Sequence, residues 1–85
     1  MRGMAKKRLS RQAAEHLLYE LNCMGYCLPA AGYRQILDNP PLTVDRFTDA
    51  VLRAEGLEPA AEKRLRREVK EKVATHFARS ELDTD

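Results

Sequence analysis

Apolar residues recur along this chain at helical spacing, in blocks separated by glycine or proline. Leu9, Ala13, Ala14, Leu17, Leu18, Leu21 and Met24 advance in steps of three and four, which places them on one face of a helix. Ser10 is a suitable N-cap, and Gly25 a suitable residue just past the end, because glycine reaches the left-handed conformation without a Cβ clash. A first helix is predicted over 10–24. A second, short helix is predicted over 29–38. Pro29 fits its first position, Tyr33, Ile36 and Leu37 form its apolar face, and Gly32 weakens it. Asn39-Pro40-Pro41 stops it, since a residue before proline avoids the α region.

The third helix is expected over 44–55. Thr43 caps it, Asp45 lies near its positive end, and Gly56 closes it. Val44, Phe47, Ala50, Val51 and Ala54 line its apolar face. The fourth is predicted over 59–79, with Pro59 at its start. Ala61, Leu65, Val69, Val73 and Phe77 recur every four residues, with Ala74 and Ala78 beside them. At about 100° per residue such a stripe drifts round the helix, which suits helices crossing at an angle better than a straight seam. Glu62–Arg66, Arg64–Glu68, Arg67–Glu71 and Glu68–Lys72 are spaced as i, i+4 ion pairs.

The pattern predicts an all-α fold: a small irregular bundle of four helices, the second short, with no sheet. Scarce β-branched residues and abundant Ala, Leu, Arg and Glu point the same way. The expected layout is a basic flexible arm over 1–8, one helical domain over 9–79, and an acidic frayed tail over 80–85. Met4 offers a second candidate start. At 85 residues the core is thin and leaves little interior for a desolvated cleft. Leu18, Leu28, Leu42, Leu52 and Leu57 strain its capacity to cover them all.

The formal net charge of +2 conceals a division. Residues 1–14 carry five positive charges and no negative one; residues 15–58 carry three positive and seven negative. The basic start resembles a signal-peptide n-region, but Arg11, Gln12, Glu15 and His16 interrupt any apolar run after it. No stretch approaches the roughly 20 apolar residues of a membrane span. Cys23 and Cys27 have no further cysteines to pair with. A cytoplasmic location, no membrane and no disulfide framework are expected.

The sequence offers four kinds of candidate chemistry. His16, Glu20, Cys23 and Cys27 are spaced i, i+4, i+7, i+11, and His76 adds another metal-ligand type. Gly25 turns Cys27 away, so the reading is no metal site and no cofactor, with both cysteines as packing residues. Catalysis is not expected either: no Gly-x-Ser-x-Gly, no glycine-rich phosphate loop, and Asp45/Asp49 read as helix-start acids.

Helix 3, Gly56 and helix 4 loosely resemble a helix-turn-helix. Leu52 stands where a small residue is usual, and Glu58 and Glu62 would face phosphates. Tyr19, Met24, Tyr26, Leu28 and Tyr33 cluster around the first loop, and tyrosine and methionine are enriched at interface cores. The leading expectation is a non-enzymatic, cytoplasmic adaptor or regulator. It would bind another protein, or a second copy of itself, through those five residues. The alternative is a nucleic-acid-binding regulator using Lys6, Lys7, Arg8, Arg11, Lys63, Arg64, Arg67 and Lys70.

Overall fold

A computed structural model describes the backbone of residues 9–82 and the side chains of residues 9–79. The basic arm assigned to 1–8 and the tail residues 83–85 lie outside them. The chain forms α1 (Arg11–Cys23), α2 (Ala30–Asp38), α3 (Val44–Ala54) and α4 (Lys63–Leu82), with no strand among the described residues. Each helix packs on its neighbours in sequence, and α4 closes the ring by packing on α1. The all-α expectation holds. No described helix is long and apolar enough to cross a membrane.

The caps work as the residue types dictate. Ser10 Oγ accepts from Ala13 N–H at 3.0 Å, and Thr43 Oγ1 from Arg46 N–H at 3.1 Å. Pro29 stands at the N-cap of α2 in extended backbone, one place before the position expected of it. Both α1 and α3 end in the same six-residue device. Gly25 (φ 105°) and Gly56 (φ 82°) turn the chain. Tyr26 N–H then donates to Leu21 O, and Leu57 N–H to Leu52 O, at 2.9 Å each. This is a Schellman motif, and it folds the residue after the glycine back against the helix.

Leu9, Leu17, Leu18, Leu21, Phe47, Val51, Leu52, Val69 and Val73 are fully buried, with Ala14, Tyr26, Ile36 and Leu37 completing one core. Each large member contributes about 1.5–3 kcal/mol by leaving water. Phe47 meets Phe77 edge to face across α3 and α4, ring centres 6.1 Å apart. Of the five leucines that tax so small a core, Leu18 and Leu52 are in it, and Leu28 and Leu57 pack against it. Only Leu42 is exposed.

Four expectations are corrected. Helix α4 begins at Lys63, not at residue 59. Residues 58–62 make one separate turn, with Ala61 and Glu62 N–H groups bonded to Glu58 O. Pro59 is buried in that turn, and Ala61 is exposed. The helix also runs to Leu82, past the expected end at 79. Within it, Ala74 and Ala78 face outward, and His76 takes a buried place on the α4 face that packs inward. Gly32 does more than weaken α2: a Cβ there would stand 2.9 Å from Ala54 Cβ, so the bare glycine lets α2 and α3 approach.

Candidate functional site

The structure brings four of the five expected contact residues to one cleft, but sinks Tyr26 into the core beneath it. The Schellman turn at Gly25 carries Tyr26 inward, so this residue joins the core instead of the surface expected of it. Its hydroxyl donates to Glu68 Oε1 at 3.0 Å. Burial, reinforced by the Glu68 carboxylate, pushes the phenol's pKa up. Leu28 and Tyr33 are half-buried against the core, while Tyr19 stays 61% exposed. These four residues, with Leu18, Asn22 and Cys27, line a cleft of about 240 Å³. Met24, 45% exposed, is not part of that lining.

A larger concavity lies along the seam of α2 and α3. One end, about 590 Å³, is walled by Pro41, Leu42, Arg46, Ala50 and Arg53. It shares Asn39, Pro41, Ala50 and Arg53 with a second space of about 420 Å³ that reaches Gly32, Ile36 and Ala54. Together they form an open groove in which Ile36, Leu42, Ala50 and Ala54 stand among polar residues, Arg46 and Arg53 with them. Arg46 and Arg53 are seven residues apart on α3 and therefore share a face. Both are exposed, and neither guanidinium has an acidic partner among the described residues. Asp49 also borders the groove, but Arg66 Nε donates to it at 2.9 Å. Sequence reasoning passed over this groove because its parts are scattered over residues 32–54.

The basic residues divide into paired and unpaired. Arg11 bonds Asp38 at 2.9 Å. Arg66 spans Asp49 and Asp45, and Lys70 Nζ lies 3.1 Å from Asp45. Lys70, assisted by Arg66, holds the Asp45 carboxyl below the usual range. Asp45 and Asp49 thus bind α4 to α3. The expected i, i+4 pairs along α4 are not formed among the described residues; Arg66 and Lys72 reach across to other helices instead. Lys63, Arg64 and Arg67 are exposed, with no acidic partner among the described residues. Lys6, Lys7 and Arg8 lie outside the described residues.

On the far side of α4, His16, Glu20 and His76 converge. His76, only 5% exposed, places Nε2 3.0 Å from Glu20 Oε1. His16 Nε2 stands 3.5 Å from Glu20 Oε2, and the two rings meet edge to face with centres 5.6 Å apart. Lys72 Nζ lies 3.4 Å from Glu20 Oε1. The hydrogen bond with His76, seconded by Lys72, outweighs burial and lowers the Glu20 pKa. One ligand atom from each of His16, Glu20 and His76 lies within 4.8 Å of the others. Neither cysteine joins them. Both are exposed free thiols, and Cys27 Sγ donates to Asn22 Oδ1 at 2.7 Å. No protein-family model, curated protein or solved structure matches the chain.

Proposed function

We propose that this protein is a small non-enzymatic binding module, a cytoplasmic adaptor or regulator. Its α2–α3 groove would take a segment of another protein that carries one bulky apolar side chain flanked by acidic residues. The observation that carries this reading is the juxtaposition, in one groove, of apolar side chains with two unmatched guanidiniums. Ile36, Leu42, Ala50 and Ala54 offer apolar contact, and Arg46 and Arg53 offer charge. Apolar burial would supply affinity and the arginines orientation and on-rate. The cytoplasmic setting is supported by two exposed free thiols.

Selection of a displayed random-peptide library on the full chain tests it. Enriched peptides should combine Asp or Glu with Leu, Phe or Trp, and binding should weaken with added salt. The double variant Arg46→Glu, Arg53→Glu should lose at least about tenfold in affinity with unchanged circular dichroism, since truncating hot-spot arginines costs on this scale. Enrichment without acidic residues, or full binding by the double variant, would contradict the assignment of the groove.

A second reading, nucleic-acid binding, is favoured by one finding. Helix α4 starts at Lys63, so its first turn carries Lys63, Arg64 and Arg66 and no acid. Of these, Lys63 and Arg64, with Arg67 one turn on, are free to meet phosphates. Mobility shift with random DNA and RNA at low salt decides it: a shift that fades steeply with salt supports this reading, and no shift ends it.

A further inference from the structure

We infer that His16, Glu20 and His76 form a binding site for zinc or a similar divalent transition ion, which would fasten α1 to α4. Two imidazoles and one carboxylate are a donor set suited to such ions, with a fourth position left for water. The spacing is close to what is required. Donors held about 2.1 Å from a tetrahedral ion stand about 3.4 Å apart. His16 Nε2 stands 3.5 Å from Glu20 Oε2 and His76 Nε2 3.0 Å from Oε1, and one ligand atom from each of the three residues lies within 4.8 Å of the others. Side-chain rotations that draw both imidazoles towards one carboxylate oxygen would complete the site.

The scaffold is also suitable. His16 and Glu20 stand one turn apart on α1, so the helix itself fixes their spacing. His76 comes from α4, 56 residues beyond Glu20, and is held by burial. A metal linking them closes a long loop and favours the folded chain over the unfolded one. To bind the ion both imidazoles must offer a bare Nε2, so the proton through which His76 Nε2 bonds Glu20 has to move to Nδ1 or leave; the ion competes with protons, and uptake weakens in acid.

Lys72 is the competitor. Its ammonium occupies the Glu20 carboxylate from one side, and its side chain, 35% exposed, has room to swing into water. Removing that charge should tighten metal binding, whereas a purely structural Glu20–Lys72 pair would predict no such gain.

The test titrates zinc chloride and cobalt chloride into metal-stripped full chain with Cys23→Ser and Cys27→Ser, which removes thiol binding. Calorimetry should show one ion per chain, and cobalt should develop the visible absorption of a low-coordinate site. His16 is exposed, so His16→Gln should keep the fold even if His76→Gln does not. Losing a second-shell group already costs about 10–100-fold in metal affinity, so His16→Gln should cost at least about tenfold. Lys72→Met should tighten binding. No saturable uptake by the folded chain, or uptake that His16→Gln leaves unchanged, overturns the inference.

Discussion

Helix α2 walls two concavities of different character. The cleft towards α1 is lined by Tyr19, Tyr33 and Leu28, neighbours within one stretch of sequence. The groove towards α3 gathers Gly32, Ile36, Leu42, Arg46, Ala50 and Arg53 from two helices and the turn between them. The cleft looks the better binding surface in composition, yet the fold uses much of it. Tyr26 goes into the core, and Leu28 and Tyr33 brace it. The groove keeps charges that nothing in the described residues satisfies. In a chain this small, a local cluster of large apolar residues is first a means of closing the core. A surface free to bind is better sought where polar groups stay unmatched.

That comparison can be broken at several strengths. The groove's α3 wall stands on Phe47, fully buried against Phe77. Phe47→Ala should cost about 3–5 kcal/mol in denaturant unfolding, the largest effect expected here. Gly32→Ala comes next. The new methyl meets Ala54 at 2.9 Å, so the seam must open, at about 1–3 kcal/mol. An unstrained helical glycine would instead gain up to about 1 kcal/mol on becoming alanine, so a stabilised variant would refute the close approach. Tyr26→Phe should lose about 1 kcal/mol with the Glu68 hydrogen bond, and leave peptide binding untouched. Tyr19→Ala should change stability by less than about 0.5 kcal/mol, because the ring stands largely in water.

Acid separates the polar contacts from the apolar ones. Glu20 and Asp45 have lowered pKa values in the fold. Their contribution is therefore complete above the ordinary carboxylate range and fades as pH falls through the lowered folded values. Glu55, raised by burial, works the other way, and its contribution fades as pH rises through the carboxylate range. Loss of the Glu20 and Asp45 contributions should make the protein less stable in acid, as urea unfolding at stepped pH would show. Glu20→Gln should flatten part of that slope.

The backbone was largely legible in the chain. Ser10 and Thr43 cap helices as their side chains allow, and Gly25 and Gly56 end them. The start of α4 was not, because Pro59 and Ala61 suit a first turn as well as the isolated turn they form. The exchange of Tyr26 from surface to core was hidden, although a signal existed: Gly25-Tyr26 repeats the pattern of Gly56-Leu57, glycine then a residue folded back on the helix. His76 follows Val69 and Val73 at helical spacing, so its burial was written in the stripe. Reading Ala74 and Ala78 into that stripe drew attention to the wrong side. The groove was illegible for a different reason. Which arginines find acidic partners depends on how helices meet, and Asp45 and Asp49 choose Arg66 and Lys70 on α4 over Arg46 and Arg53 beside them.

The most direct test is a nitrogen-15 chemical-shift map of the full chain titrated with the best peptide from the display selection. Binding in the groove predicts shifts centred on Leu42, Ala50 and Arg53, with Tyr19 and Leu28 unmoved. Shifts centred on Tyr19, Leu28 and Tyr33 would contradict it and return the binding surface to the cleft.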